Sequence, residues 1–217
     1  MKVSVLLPTK NEPLINELIQ EVHKVLGKTP HEIIVIDKSD IPPKIKDAKL
    51  IIQKTDGLGN AILEGLNKAT GDVILTMDCD YSHDPKDIPK ILNGIKDCDI
   101  VIGSRYVNGG KTEDNFLRKI ISKISCLAAS LILDLNVKDS MNNFVAARKE
   151  VYRNLKLNPL GLKINMETIY KAKKMKYRVC EVPIIFHRRR AGKSKRIGIK
   201  ESIKGLIYLF QLRFGLR

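Results

Sequence analysis

Gly71-Asp72-Val73-Ile74-Leu75-Thr76-Met77-Asp78-Cys79-Asp80 is the stretch that decides how this chain folds. Its apolar run reads as a buried strand that stops at two carboxylates one residue apart. In extended backbone, residues i and i+2 point to the same side. Asp78 and Asp80 can therefore face one point at the strand end, where two converging carboxylates suit a hard divalent cation and the diphosphate it carries. In open α/β sheets, ligands bind at the carboxyl ends of the strands. An Asp-x-Asp triplet alone is equally compatible with a solvated turn, so the rest of the chain has to decide.

Upstream, the pattern alternates. Val3–Leu7 is a short apolar strand broken by Pro8-Thr9-Lys10-Asn11. Ile15, Leu18, Ile19, Val22, Val25 and Leu26 then recur at helical spacing, with Asn11 as a cap and Pro13 in the first turn. Strands are expected at Glu32–Asp37, Leu50–Ile52, Val73–Met77 and Ile100–Ile102, and helices at Leu58–Ala69 and Ile88–Ile95. Strands alternating with helices predict an α/β fold with a doubly wound, mostly parallel sheet covered on both faces. Downstream of Arg105 the spacing predicts a long amphipathic helix over Phe116–Leu135, a short strand at Phe144–Ala147, a helix over Ile164–Lys174 and a strand over Arg178–Phe186.

The last segment differs in composition. Arg188, Arg189, Arg190, Lys193, Lys195, Arg196 and Lys200 precede the next acid, Glu201, and an apolar stripe of Ile203, Leu206, Ile207, Phe210 and Phe214 follows. We read residues 1–186 as one domain and 187–217 as a basic, amphipathic extension. Such a segment suits an anionic membrane surface; a solvated loop and a helix packed on the core would look the same in sequence.

The bulk numbers agree. The 217 residues carry 39 Lys+Arg against 24 Asp+Glu, a net charge of +15, which points to an anionic partner. A hydrophobic fraction of 43% supplies a core and excludes a disordered chain. No apolar run approaches the ~20 residues of a membrane span, and Val3–Leu7 is too short for a signal peptide. Cys79, Cys98, Cys126 and Cys180 form no Cys-x-x-Cys and read as reduced, mostly buried residues of a cytosolic protein. With six Tyr, five Phe and no aromatic-basic interleaving, a nucleic-acid-binding module is disfavoured.

Eight segments, taken together and in order, resemble family 2 glycosyltransferases of the GT-A (Rossmann-like) fold, in particular the dolichyl-phosphate and polyprenyl-phosphate mannosyltransferases. They are Leu7-Pro8-Thr9-Lys10-Asn11-Glu12, Glu32-Ile33-Ile34-Val35-Ile36-Asp37, Gly57-Leu58-Gly59-Asn60-Ala61, Met77-Asp78-Cys79-Asp80-Tyr81-Ser82-His83, Gly103-Ser104-Arg105-Tyr106, Arg118-Lys119-Ile120-Ile121-Ser122, Glu181-Val182-Pro183-Ile184 and Gly192-Lys193-Ser194-Lys195.

The resemblance implies inverting transfer of a hexose, mannose from GDP-mannose first, to a dolichyl or polyprenyl phosphate at the cytoplasmic face of the membrane. UDP-glucose, a UDP-N-acetylhexosamine or a glycan hydroxyl acceptor are the alternatives. It implies Mg²⁺ or Mn²⁺ held by Asp78 and Asp80, with Ser82 where some relatives place a Gln in the metal shell. Pro8, Thr9, Glu12 and Asp37 become contacts of the donor nucleotide-sugar, joined by Arg189, Ser194 and Lys195 from a basic loop. Glu12 as a helix-dipole acid remains the plain alternative. Arg105, Arg118 and Ser122 become the groups that hold the acceptor phosphate and, with Asp80, the catalytic set; an unliganded exposed helix face is the alternative for Arg118 and Ser122. Glu167 is expected to border the acceptor or to make a surface ion pair, His83 to order the loop after the carboxylates, and His187 to be structural or exposed. Some relatives carry C-terminal transmembrane helices, so a peripheral chain or one recruited by a membrane-spanning partner subunit is expected here.

Two departures from the family pattern stand out. Lys38 replaces a second acid after Asp37, which leaves Asp40 as a substitute. Asn142-Asn143-Phe144 replaces Ser-Gly-Phe, and the lost glycine freedom is expected to alter the acceptor side.

Overall fold

The structure, a computed structural model, describes residues 1–158, 164–191 and 199–214, with side chains from 207 onward in the last stretch. Seven strands form the main sheet in the order β3-β2-β1-β4-β7-β5-β8. They are β1 (Val3–Thr9), β2 (His31–Asp37), β3 (Lys49–Ile52), β4 (Val73–Thr76), β5 (Ile100–Ser104), β7 (Val145–Arg148) and β8 (Val179–Pro183). Every pairing is parallel except those of β7, which runs antiparallel to both β4 and β5.

Alternate residues of each strand serve opposite faces. Val3, Val5, Leu7, Ile33, Val35 and Leu75 pack under α1 (Ile15–Leu26) and α3 (Ile88–Gly94). Leu6, Ile34, Ile36, Ile74, Ile100 and Ile102 pack under α2 (Leu58–Lys68), α4 (Phe116–Leu133), α5 (Lys149–Asn154) and α6 (Ile164–Lys174). Because both faces are covered, the strands read as continuous apolar runs rather than alternating ones. Gly65 brings α2 close to the sheet: a Cβ there would stand 2.9 Å from Ile36 Cδ1.

The antiparallel β7 matters for function. Its register puts Val145 beside both Thr76 and Ile102. The residues just before it, Asn142 to Phe144, therefore lie at the carboxyl ends of β4 and β5, next to the expected carboxylate pair.

Three expectations need correction. The strand expected over 178–186 divides into β8 and a two-residue β9 (Ile185–Phe186), which pairs with β6 (Lys111–Thr112) in a separate small sheet. A two-residue Lys-Thr strand carries no apolar period by which it could be read. The expected reduced state of all four cysteines also fails. Cys98 and Cys180 form a disulfide with a Cα separation of 6.1 Å, because β5 and β8 are neighbours although the residues are 82 apart in sequence. Cys79 and Cys126 are free and buried. Finally, the long helix ends at Leu133, where Asp134 adopts the left-handed conformation of a C-cap.

Helix α7 (Ile199–Phe214) packs on α4, with Tyr208 and Leu209 buried. The opposite side of this pair is open. Phe116, Leu117, Ile121, Ile124, Leu127 and Leu131 of α4 and Ile207, Phe210 and Phe214 of α7 are all exposed, Phe116 at 80% and Leu131 at 74%. No helix among the described residues is long and apolar enough to cross a membrane.

Candidate active site

Asp80 follows β4 and is nearly buried. Its Oδ1 accepts from the backbone N–H of Ser82 at 2.9 Å and from the Ser82 hydroxyl at 2.5 Å. Its Oδ2 lies 2.9 Å from Arg189 Nη2, and Arg189 Nη1 donates to Glu12 Oε1 at 2.9 Å. One guanidinium thus bridges the carboxylates of the first and fourth strand ends. Burial pushes the Asp80 carboxyl up, but the two Ser82 donors and Arg189 outweigh it and hold it below the usual range. Glu12 is raised: burial dominates, and Asp80 and Asp78 add to it against Arg189.

Asp78 is held differently. Asn143 Nδ2 donates to Asp78 Oδ1 at 3.1 Å. The Asp78 backbone N–H donates to His83 Nδ1 at 3.0 Å. That makes Nδ1 an acceptor, so the ring hydrogen sits on Nε2, where Asn142 Oδ1 receives it at 2.6 Å. His83 is fully buried and both its nitrogens are occupied; it orders the loop, as expected.

The other residues expected on the donor side lie at the carboxyl ends of β1 and β2. Pro8 accepts from Cys79 Sγ through its carbonyl, and Thr9 Oγ1 is buried with no hydrogen-bond partner among the described residues. Asp37 is fully buried at the end of β2, paired in register with Thr9, and its carboxylate accepts from Ser39 N and Oγ. Lys38 turns toward Asp56 at 3.4 Å, and Asp40 clasps Asn11 rather than standing free.

On the other side, the expected acceptor residues separate. Arg118, at the start of α4, lines a cavity of about 320 Å³ with Asp114, Asn115, Arg188 and Arg189. Three arginines and the amino end of a helix line one space, against a single acid among the described lining residues, Asp114, 3.9 Å from Arg118, a balance that favours an anion. Arg189 belongs both to this cavity and to the Asp80–Glu12 bridge, so the two are contiguous. Ser122 lies one turn further along α4, half-buried, and does not line the cavity.

Arg105 is elsewhere. Its Nε and Nη2 fork onto the two oxygens of fully buried Asp139 at 2.8 Å each, and its backbone N–H donates to Asp139 at 2.9 Å. Burial works against its charge, but Asp139 more than restores it. The bidentate edge expected to grip phosphate grips an aspartate instead.

Glu167, expected either to border the acceptor or to make a surface ion pair, is buried, so the surface alternative falls. It accepts from Asn158 N, Lys171 Nζ and Tyr208 Oη, tying α6 to α7. His187 pairs with Glu113 at 3.2 Å and is one-third exposed. Ser194 and Lys195 lie outside the described residues. Sequence reading missed Asp139, Asn165 and the place of Arg188; it noticed Asn143 but looked for its effect on the acceptor side.

Comparison with known sequences decides the family. The model described as "Glycosyl transferase family 2" matches residues 4–156. The chain belongs to that family. This family 2 glycosyltransferase is 40% identical to the dolichol-phosphate mannosyltransferase of Pyrococcus furiosus over 98% of its own length. It spans 64% of that relative. It is 30% identical to the undecaprenyl-phosphate mannosyltransferase of Micrococcus luteus, covering 100% of this chain and 95% of the other. Among solved structures it superimposes on glucosyl-3-phosphoglycerate synthase from Mycobacterium tuberculosis in complex with Mn²⁺, UDP and phosphoglyceric acid. That match has a TM-score of 0.75 at 18% identity and covers 98% of this chain and 78% of the other. The family 2 glycosyltransferase therefore has the GT-A type of fold, with β7 as its antiparallel insert.

Proposed function

We propose that this glycosyltransferase moves a hexose, mannose from GDP-mannose, onto a dolichyl or polyprenyl phosphate with inversion, working as a peripheral protein at the cytoplasmic face of the membrane. The observation that carries the reading is the cavity of Arg118, Arg188 and Arg189 next to the Asp80–Arg189–Glu12 bridge. It offers one place for a monophosphate and, adjoining it, one for a diphosphate. The names of the mannosyltransferase relatives support the choice of lipid phosphate.

The residues fit a divalent cation. Asp78 and Asp80 offer hard carboxylate oxygens at one strand end, and the guanidinium resting on Asp80 and Glu12 marks the spot as one that stabilises positive charge. Asp78 and Asp80 would hold Mg²⁺ or Mn²⁺, with Ser82 orienting Asp80 rather than ligating. When bound, such a cation stabilises the negative charge of the departing diphosphate.

The chain's own groups do the rest. Pro8, Thr9, Glu12 and Asp37 line the donor side, where the Thr9 hydroxyl, without a partner among the described residues, is available to a nucleotide. Arg189 is placed to pass from the carboxylates to the diphosphate, aided by Lys195. The acceptor needs little activation: a phosphate monoester has a second pKa of about 6 and is anionic at neutral pH. Orientation by Arg118 and Arg188 is then the main task, with Ser122 next along the helix. Arg105 serves indirectly, holding the loop after β5 through Asp139.

Residues 187–217 act as the membrane-proximal extension. The exposed apolar row of α4 and α7, with Lys119 and Lys123 beside it, suits an anionic bilayer or a membrane-spanning partner. The test is incubation with labelled GDP-mannose, UDP-glucose and UDP-N-acetylhexosamines and a short polyprenyl phosphate, with and without EDTA. Metal-dependent label in the organic phase from GDP-mannose is expected. Label only on water-soluble glycan, or none, overturns the reading.

A further inference from the structure

Asn143 stands where the family pattern has a glycine, and nothing in the proposed reaction uses its side chain. Yet each polar group of that side chain is engaged. Its Nδ2 donates to Asp78 Oδ1 at 3.1 Å, and its Oδ1 accepts from Asn165 Nδ2 at 2.7 Å. Its backbone carbonyl accepts from Thr76 Oγ1 at 2.7 Å, on the very strand that leads to Asp78. Asn165 is 4% exposed in the first turn of α6 and also donates to the Asn142 carbonyl at 2.9 Å. With Asn165 as donor, the Asn143 amide has one orientation: its oxygen faces Asn165 and its nitrogen faces Asp78.

We propose that Asn143 is a positioning residue for the cation site: its carboxamide, oriented by Asn165 while Thr76 holds its backbone carbonyl, holds one oxygen of Asp78 and leaves the other for a divalent ion. Groups behind a ligating carboxylate commonly change metal affinity 10–100-fold when removed. The direction follows from geometry. Without the amide, Asp78 rotates freely, and ordering it costs part of the binding energy.

The proposal rests on the reading that Asp78 and Asp80 bind a cation, and the test separates the two. Mn²⁺ is titrated into the full chain, with and without GDP or UDP, and the free ion is read by electron paramagnetic resonance. Thermal melts in EDTA accompany each variant. Asn143→Ala is expected to weaken Mn²⁺ about tenfold with an unchanged melt, and Asn143→Gln to recover part of the loss. Asn165→Ala is expected to weaken it less, and the double variant no more than Asn143→Ala alone, since the two act in series. Wild-type affinity in Asn143→Ala, while Asp80→Ala abolishes binding, overturns this proposal only. Mn²⁺ binding that survives Asp80→Ala overturns the cation reading beneath it. Asn143 is only partly buried, so its variant decides the matter even where Asn165→Ala fails to fold.

Discussion

Arg189 rests its guanidinium 2.9 Å from the Asp80 carboxylate, although the two residues are 109 positions apart in sequence. The contact offsets the charge of a nearly buried acid. It also makes the arginine a competitor for whatever cation that acid receives. Removing Arg189 should have two opposite effects. Arg189→Ala should bind Mn²⁺ alone several-fold more tightly, because about one charge-assisted hydrogen bond no longer competes. The same variant should lose about tenfold or more in kcat, because the diphosphate loses a partner. Parallel Mn²⁺ titration and initial-rate measurements check both; looser metal binding in the variant contradicts the competition.

The cavity beside it predicts a division of labour. Arg118→Ala should raise KM for the lipid phosphate about 10–100-fold, the worth of a charged hydrogen bond. Asp114, the only acid among the described lining residues, should be dispensable as a base. Asp114→Asn should keep kcat within about threefold, since the acceptor oxygen is already ionised above its pKa of about 6. A loss of several orders of magnitude in Asp114→Asn would instead indicate a hydroxyl acceptor.

The Arg105–Asp139 pair should behave as a structural element. Breaking a buried ion pair by removing one partner costs about 3–5 kcal/mol. Asp139→Ala should therefore lower the denaturation midpoint strongly, as Arg105→Ala should. Urea melts of both variants check this, and a near-native midpoint with a large rise in KM would return Arg105 to the acceptor phosphate.

Glu32 carries a pH dependence far from the active site. Burial tends to raise its pKa, but hydrogen bonds from Lys49, Thr70 and Ser4 outweigh it and hold the carboxyl well below its ordinary 4.5. A depressed folded pKa means that its stabilisation is complete above the unfolded value and is lost as pH falls through the folded one. Glu32→Gln should thus cost about 2 kcal/mol at neutral pH. The difference from wild type should shrink steadily below about pH 4, in melts recorded across the acid range. A constant gap at every pH counts against the assignment.

The open face of α4 predicts a surface effect without a stability effect. Leu127→Glu and Leu131→Glu remove large apolar groups that are 58% and 74% exposed. Each should weaken sedimentation with anionic vesicles about tenfold, the worth of one leucine leaving an apolar phase. Melting should shift by less than about 0.5 kcal/mol. Unchanged vesicle binding would point to a protein partner on this face.

What could be read along the chain was what local pattern carries. Apolar runs such as Val73–Thr76 are strands because both faces of the sheet are covered, and helix α1 follows from Ile15, Leu18 and Val22 at one spacing. The Asp78–Asp80 pair caught the eye by its spacing, but β4 ends at Thr76 and the chain bends at 79–80, so strand alternation is not what directs the two side chains. Only the tertiary structure decided what each charge faces. The Arg105 fork looks equally ready for phosphate or carboxylate until Asp139 is brought to it across 34 positions. Asn143 reached Asp78 because β7 runs antiparallel between β4 and β5, and Cys98 met Cys180 because β8 lies beside β5. Hydrophobic periodicity depends on near neighbours, whereas the partner of a polar group depends on strand order, which no local period encodes.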